Sequence, residues 1–261
     1  MEIKIYQVDA FADNTFEGNP AAVCPLDEWV SDELLQKISE ENNLSETAFF
    51  VAKENGYSLR WFTPEDEVDL CGHATLAAAH VLFQHLDYAK DSISFYTKSG
   101  TLKVGRTGSG YSMNFPASEV KPIDTPMQLK EALGVEPSKT LVAFDYIVLL
   151  DSENQVKSLS PDFVKLQALD LRGVVVTAAG EDADFVSRCF FPKLRVNEDP
   201  VTGSAHCELA PYWAKKLSRN KLVGKQLSQR TGIVQCELIG DRVILSGNAV
   251  DYMSGIITIK K

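Results

Sequence analysis

The sequence predicts an α+β fold made of two similar domains, each with strands around a central helix. Strand and helix patterns occur in both halves of the 261 residues. Between the halves, residues 114–126 (NFPASEVKPIDTP) contain three prolines and no apolar periodicity, which is typical of a linker. A motif of the first half recurs in the second, which indicates internal duplication. We therefore expect domains at 1–118 and 119–261, and the last strand is a candidate to cross back to the first domain.

The first half reads mainly as strands. Residues 32–42 predict a helix, and residues 105–110 (GRTGSG) predict a turn rather than a phosphate loop, because no helix pattern follows them. The residues GNP at 18–20 predict a loop after the first strand. Alternating apolar residues predict strands at 2–11, 47–52, 57–62, 92–97, 101–106 and 111–115.

The second half also contains both strand and helix patterns, and each half contains one candidate central helix. Residues 74–83 (ATLAAAHVLF) are apolar on nearly all sides, which predicts a helix that is covered all round. Residues 205–217 form its counterpart. Further helices are predicted at 127–133 and 161–169. Strands are predicted at 146–151, 173–178, 185–191, 232–240, 242–247 and 255–261.

Composition excludes several classes of partner. A formal charge of -10 argues against binding to nucleic acid, which requires clustered lysine and arginine. The start of the chain has no apolar segment of signal-peptide type, and no run reaches the ~18 apolar residues of a membrane span. We therefore expect a cytoplasmic protein without membrane partners. The five cysteines are widely spaced and lack a C-x-x-C pair, so they predict neither disulfides nor a zinc site.

The duplicated motif is R-x-F-x-P followed by a glycine and small residues. It begins at Arg60 before the triplet GHA at 72–74, and again at Arg188 before GSA at 203–205, with three extra residues in the second copy. Each triplet opens a helix, where free N–H groups and the helix dipole favour an anion. Two such helix starts predict a site for a carboxylate substrate. For one copy alone, the ordinary interpretation is a tight turn with Asp69 or Thr202 as the helix cap.

Four blocks of the sequence together resemble the PhzF-like family of phenazine-biosynthesis proteins. They are EGNPAAV (17–23), LSETAF (44–49), RWFTPEDEVDLCGHATLAAA (60–79) and EDPVTGSAH (198–206). The resemblance implies a diaminopimelate epimerase-like fold with the active site in the cleft between the domains. It also implies a cofactor-independent isomerase with a small carboxylic acid substrate, and a homodimer.

The resemblance further implies which residues form the site. The matching catalytic positions are Glu46, His73, Asp199 and Ser204. The matching substrate-binding positions are Asn19, Gly72, Ala74, Gly203 and Ala205. From the residues alone, Glu46 would be an ordinary strand-edge carboxylate. The resemblance makes it the base, and it implies neither a metal nor a cofactor.

Cys71 requires a separate interpretation. In the related epimerases and racemases, one cysteine at each central helix start passes a proton across the substrate. Cys71 occupies the first of these positions, but the second is Thr202, whose hydroxyl is no base near neutral pH. Cys207 lies five residues further along the helix and cannot replace it. We therefore expect Cys71 to be structural, although a helix start does lower a thiol pKa.

The histidines do not predict a metal site. Cys71 and His73 offer two ligands without a second pair at zinc spacing. The other three histidines do not form an H-E-x-x-H motif, and we interpret His80 and His85 as core or surface residues of the first central helix. The acidic residues 65–67 are expected in a solvated loop, with amine selection as the alternative.

The predicted reaction moves a proton and a double bond in a small unsaturated amino or hydroxy carboxylic acid. In the phenazine pathway, the substrate of this chemistry is dihydro-hydroxyanthranilate. One alternative is an amino-acid racemase or epimerase on the same fold, with Cys71 and Glu46 as opposed acids and bases. Another alternative is a non-catalytic scaffold or partner-binding protein.

Overall fold

The computed structural model describes residues 1–108 and 110–260, and it confirms the α+β class. Two compact units are present. One comprises Met1–Asn114 together with a segment that begins at Ser246, and the other comprises Phe115–Leu245. The first unit therefore combines two separate stretches of the chain, and the domain boundary at residue 118 stays a prediction.

The described residues form strands and six α-helices. The helices are α1 (Asp32–Asn42), α2 (Gly72–His85), α3 (Met127–Leu133), α4 (Glu153–Ser158), α5 (Phe163–Gln167) and α6 (Gly203–Leu217). The strands are β1 (Glu2–Ala10), β2 (Asn19–Leu26), β3 (Glu46–Lys53), β4 (Gly56–Phe62), β5 (Glu67–Val68), β6 (Ser92–Thr97), β7 (Gly100–Thr107), β8 (Gly110–Pro116), β9 (Lys121–Ile123), β10 (Lys139–Val142), β11 (Tyr146–Leu149), β12 (Val174–Ala179), β13 (Phe185–Phe191), β14 (Val196–Asp199), β15 (Lys221–Gln226), β16 (Gly232–Ile239), β17 (Arg242–Gly247) and β18 (Ala249–Thr258).

In the first unit, the strands form a mixed sheet around α2. Strand β1 pairs antiparallel with both β2 and β18, and β2 pairs parallel with β3. The order continues through β4, β6, β7 and β8. Helix α2 packs against β1, β2, β3, β7 and β18, and its residues from His73 to Phe83 are all buried. This burial confirms that the all-round apolar pattern marks a covered helix.

The second unit has its own core and its own mixed sheet. Strands β9, β10 and β11 pair antiparallel, β11 pairs parallel with β12, and β13 pairs with β12, β14 and β15. Helix α6 packs against β15 and β16. A buried cluster joins the shorter helices to this sheet, and it includes Leu129, Val156, Leu166, Val176 and Phe190.

Two expectations about loops have different outcomes. The GNP segment is not a loop throughout, because β2 begins at Asn19 and pairs with β1. Gly18 precedes that strand with φ 66°, and a Cβ there would lie 2.2 Å from the Ala10 carbonyl oxygen, so the turn requires glycine. The turn predicted at 105–110 joins β7 to β8 in an antiparallel pair, although Ser109 lies outside the described residues.

None of the helices in residues 1–108 and 110–260 has both the length and the apolar character needed to cross a bilayer.

Candidate active site

The first unit brings together three titratable side chains, those of Glu46, Cys71 and His73. His73 Nε2 lies 3.0 Å from Glu46 Oε2, and its Nδ1 lies 3.5 Å from Cys71 Sγ. The imidazole therefore stands between a carboxylate and a sulfur. Only 7% of the His73 side chain and 18% of the Glu46 side chain are exposed, so the charges face little screening by water.

The local backbone explains this arrangement. Glu46 is the first residue of β3, where the parallel pairing with β2 sets it opposite Ala21. Cys71 is the N-cap of α2 with extended backbone angles, φ -144° and ψ 109°. The Thr75 hydroxyl donates a 2.6 Å hydrogen bond to the Cys71 carbonyl, which fixes the first turn of the helix. A strand start and a helix start therefore position the two ends of the cluster.

The electrostatics of the cluster favour a charged histidine and a neutral thiol. Burial and the neighbouring Glu46 carboxylate raise the pKa of Cys71 to about 11. Burial opposes the charged form of His73, but the adjacent Cys71 sulfur and Glu46 carboxylate raise its pKa well above the ordinary value. Because Cys71 is a thiol near neutral pH, Glu46 is the group that can hold an imidazolium. The cluster then contains a carboxylate and a proton donor in contact.

In the second unit, Asp199 belongs to a hydrogen-bonded group at the start of α6. The Thr202 hydroxyl donates to Asp199 Oδ2 at 2.5 Å. Gln226 accepts from the Thr202 backbone N–H at 2.9 Å and donates to the Asp199 carbonyl at 2.6 Å. Gln226 is fully buried, so this side chain ties β15 to the segment in front of the helix.

Ser204 lies in the first turn of α6 beside an arginine that the sequence motifs did not indicate. Arg172 Nη2 donates to Ser204 Oγ at 3.2 Å. The same guanidinium binds both carboxylate oxygens of Asp145, at 3.0 and 2.5 Å, and Asp145 is fully buried. Burial opposes the charged form of Arg172, but the hydrogen bonds that it donates to Asp145 raise its pKa. A fixed cation thus stands next to Ser204.

The N-caps of the two central helices correspond in position but do not cap with their side chains. Cys71 caps α2 and Thr202 caps α6, and neither side chain accepts a hydrogen bond from its helix. Asp69 is not the cap of α2, so that part of the ordinary interpretation is wrong. The Thr202 hydroxyl points to Asp199 instead. At both helix starts, the N-cap side chain therefore does not accept a hydrogen bond from the first backbone N–H groups.

The predicted binding positions lie at the strand and helix starts. Asn19 opens β2 and is fully buried. Gly72 opens α2 and Gly203 opens α6, while Ala74 and Ala205 are buried in the following turns.

The predicted catalytic residues fall into two groups, one in each unit. Glu46 and His73 are in contact in the first unit, and Asp199 and Ser204 flank the start of α6 in the second. Arg172 and Gln226 were missed because they lie outside every motif and reach this helix start from 32 and 24 residues away.

The cluster of Glu46, Cys71 and His73 is also a candidate ligand set for a metal ion. One donor atom from each side chain lies within 4.8 Å of the others. A thiol whose pKa is raised to about 11 is a poor ligand until it loses its proton. The protonated thiol therefore makes this set a weak metal site at neutral pH.

Comparison with known proteins gives a consistent assignment. Residues 8–255 match the PhzC-PhzF family, described as phenazine biosynthesis-like protein. An uncharacterized isomerase of Pseudomonas aeruginosa is 54% identical over 257 residues, which are 98% of this chain and 99% of that protein. The crystal structure of a PhzF-family phenazine biosynthesis protein from Enterococcus faecalis is 46% identical with a TM-score of 0.97, covering 99% of this chain and 100% of that chain.

A more distant likeness concerns the fold alone. A hydroxyproline epimerase from Agrobacterium vitis has a TM-score of 0.61 at 12% identity, covering 98% of this chain and 92% of that chain. The chain therefore has the epimerase-like fold that the resemblance implied.

Proposed function

The chain belongs to the phenazine biosynthesis-like PhzC-PhzF family and is an isomerase, and we propose that it moves a proton and a double bond within a small unsaturated amino or hydroxy carboxylic acid. Glu46 is the proposed base. The observation that carries the proposal is the 3.0 Å contact between Glu46 Oε2 and His73 Nε2 in a largely buried setting. This contact places the Glu46 carboxylate, a proton acceptor, beside the His73 imidazolium, a proton donor.

The proposed reaction begins when the Glu46 carboxylate removes a proton from an activated C–H bond. The electron pair of that bond moves into the conjugated system, and the double bond shifts. A proton then returns to a carbon further along the system, either from the Glu46 carboxyl or from the His73 imidazolium. In the second case, the proton on Glu46 passes to His73 across their 3.0 Å contact and restores the starting state. No proton is gained or lost overall.

We assign substrate binding to the helix starts. The backbone amides after Gly72 and after Gly203 favour the substrate carboxylate, because the helix dipole places positive potential there. Ser204 is the proposed hydroxyl that orients an anionic or polar group, and Asp199 is the proposed partner for a substrate donor. Buried Asn19 and the helix residues Ala74 and Ala205 are proposed to line the binding site.

Solvent deuterium uptake tests the role of Glu46. Wild type and Glu46→Gln are incubated in deuterated buffer with dihydro-hydroxyanthranilate and a panel of small cyclic or unsaturated amino acids, and products are analysed by mass spectrometry. We expect wild type to exchange or isomerise one compound, and the variant to lose about 10²- to 10⁴-fold of that rate, because an amide cannot accept the proton. Circular dichroism verifies that the variant is folded.

Cys71→Ser is the matched comparison for the racemase alternative. If Glu46 is the base, we expect this variant to retain the rate within about tenfold, because a buried thiol with a raised pKa is not the proton acceptor. A racemase that uses the thiol would instead lose activity in Cys71→Ser and would abolish the optical activity of a pure L-amino acid. Equal exchange by wild type and Glu46→Gln would contradict the proposal.

A further inference from the structure

A second cluster of titratable side chains lies in the first unit, at the C-terminal end of α2. His80 Nε2 lies 3.1 Å from Asp251 Oδ1, and His85 Nε2 lies 2.9 Å from the same oxygen. The two histidines belong to α2, and Asp251 belongs to β18. All three donor atoms lie within 4.8 Å of one another. Two imidazoles and a carboxylate therefore converge on one point.

Neighbouring side chains fix the orientation of both rings. His80 Nδ1 lies 3.0 Å from the Tyr111 hydroxyl, which also accepts a hydrogen bond from Gln84 at 3.3 Å. His85 stacks on the ring of Tyr6 with centroids 4.7 Å apart. With Nδ1 held by a partner, the other nitrogen of His80 is directed at Asp251. Such a second layer of contacts is what orients histidine ligands in metal sites.

We propose that His80, His85 and Asp251 form a binding site for a divalent transition-metal ion such as Zn²⁺. In a tetrahedral zinc site, bonds of about 2.0–2.2 Å to nitrogen and oxygen separate the donor atoms by about 3.3 Å. The observed separations of 2.9 and 3.1 Å from Asp251 Oδ1 are a few tenths of an ångström shorter. Each imidazole nitrogen therefore needs only a small outward movement from the Asp251 oxygen to reach the spacing of a zinc site.

The surroundings allow an ion to enter and leave one position for water. The Asp251 side chain is 46% exposed and that of His85 is 29% exposed. A cavity of about 540 Å³ borders His80, but among the described residues its lining does not include His85 or Asp251, so the exposed side of Asp251 is the proposed route of entry. Three protein ligands with an open fourth position is the arrangement of zinc sites that are accessible to solvent.

The donor set selects the class of ion. Imidazole nitrogens suit Zn²⁺, Co²⁺ and Ni²⁺, whereas Mg²⁺ and Ca²⁺ prefer sites made of oxygen ligands alone. A bound ion would connect the end of α2 to β18, the strand that returns to the first unit from the C-terminal part of the chain. The site uses none of the residues proposed for the reaction, so its test does not depend on isomerase activity.

Cobalt titration of untagged, metal-free protein tests the site and distinguishes it from the Cys71 cluster. A site of two histidines and one carboxylate gives weak visible d–d bands, whereas a thiolate ligand adds an intense charge-transfer band in the near ultraviolet. We expect wild type, Cys71→Ser and Glu46→Gln to bind one Co²⁺ with d–d bands alone. His85→Asn and Asp251→Asn should bind at least about tenfold more weakly, because each removes a ligand atom or its charge.

Thermal unfolding with Zn²⁺ gives a second readout. An ion that binds the folded chain raises the Tm of wild type and of Cys71→Ser, and it raises the Tm of Asp251→Asn much less. Asp251 is half-exposed and the change preserves its size, so this variant keeps the test valid if His85→Asn fails to fold. The proposal is overturned if wild type shows no saturable binding, if both variants bind like wild type, or if the signal is a thiolate band that Cys71→Ser removes.

Discussion

Cys71 illustrates how one residue can occupy a catalytic position without the properties of a catalyst. Its backbone corresponds to that of Thr202, since both are extended N-caps of a central helix. Its sulfur contacts His73, but burial and Glu46 raise its pKa to about 11. The depression of a thiol pKa that a helix start provides is therefore outweighed by desolvation and a neighbouring carboxylate. We infer that Cys71 packs against His73 and does not exchange protons.

Adding a Cβ atom at Gly203, the first residue of α6, tests the proposed carboxylate site. An added Cβ would meet Leu245 Cδ1 at 3.7 Å, which is an ordinary contact distance. The folded chain therefore tolerates alanine at this position, and alanine is the better helix former by about 0.5–1 kcal/mol. If the amides after Gly203 bind the substrate carboxylate, as proposed, a methyl group at this position narrows the approach to them.

We predict that Gly203→Ala keeps or slightly raises the Tm while it weakens substrate binding. For the compound that wild type exchanges, the expected change is a rise in KM of about tenfold or more, as expected when charge-assisted hydrogen bonds to the amides are lost. Thermal unfolding and steady-state kinetics measure the two effects. An unchanged KM would show that the start of α6 does not bind the substrate. A large drop in Tm would show that the folded structure requires glycine at this position.

The duplicated motif corresponds to the same ion pair in both units. Arg60 uses Nε and Nη2 to bind both oxygens of Glu67, at 2.7 and 2.8 Å. Arg188 binds Glu198 with the same two groups at 2.7 and 2.9 Å. Each guanidinium also lies about 5 Å from the ring of the motif phenylalanine, at 5.0 Å for Phe62 and 5.1 Å for the second copy. The motif therefore ties a strand to the antiparallel segment that follows it.

The spacing of the two ion pairs accounts for the difference in length between the copies. Glu67 follows its arginine by seven residues and Glu198 follows its arginine by ten. The difference of three equals the insertion found before Gly203 in the second copy. A short 3₁₀ turn at Pro192–Leu194 lies within the longer connection. The two copies therefore support duplication of the motif. The three extra residues of the second copy lie in the connection that contains the 3₁₀ turn.

Glu67 shows that the acidic segment 65–67 is not uniformly solvated. Its side chain is 15% exposed and is bound by Arg60 and Lys98, whereas Glu65 is exposed. The hydrogen bonds from Arg60 outweigh burial and, with Lys98, lower the pKa of Glu67 to about 2. A carboxyl with a lowered pKa stabilises the fold above its unfolded pKa and loses that contribution as the pH falls.

We predict that Glu67→Gln lowers stability at pH 7 by about 1–3 kcal/mol, because it removes a charged partner of Arg60. The stability of wild type should also fall as the pH drops from about 5 towards 2, and the variant should show a shallower slope over that range. Urea denaturation at several pH values measures both effects. Glu65→Gln, an exposed change in the same loop, is the control that should match wild type at neutral pH.

At the scale of the whole chain, periodicity predicted the helices better than the strands. The bounds of α1 match the expected 32–42, and α2 and α6 extend the expected apolar cores by a few residues. Strands such as β10, β14 and β15 were missed because they are short, between four and six residues, and are defined by partners elsewhere in the chain. A strand of that length carries too little alternation for a reliable prediction.

The candidate site was predictable only where a motif marked it. Glu46 and His73 belong to quoted blocks, and their contact follows from a strand start and a helix start in one unit. The hydrogen bonds from Arg172 to Asp145 and to Ser204 join residues that are far apart in the sequence, so no local pattern predicts them. The same holds for Asp251, which meets His80 across 171 positions. Contacts between such distant residues can be identified only once the fold is known.

Strand β18 is unusually exposed along its middle part. Its six consecutive residues from Asp251 to Ile256 are all exposed, whereas a strand covered on one face would alternate. The exposed side chains include Tyr252 at 50% and Ile256 at 62%, and Phe16, exposed by 67%, packs edge-to-face on Tyr252. Large apolar side chains that are exposed and in contact with one another, as Phe16 and Tyr252 are, are typical of a protein interface. We propose that a second copy of the chain covers the side chains of Phe16, Tyr252 and Ile256 in a two-fold homodimer and leaves Asp251 open to solvent.

We therefore predict that wild type elutes as a dimer in size-exclusion chromatography with light scattering, and that Ile256→Lys shifts it to the monomer. A buried charge without a partner at the interface costs several kcal/mol, which is enough to separate the copies at micromolar concentration. Ile239→Lys is the matched control, because Ile239 is also an exposed isoleucine, at 55%, but lies in β16 of the second unit. A monomeric wild type, or dissociation by both substitutions alike, would contradict an interface on β18.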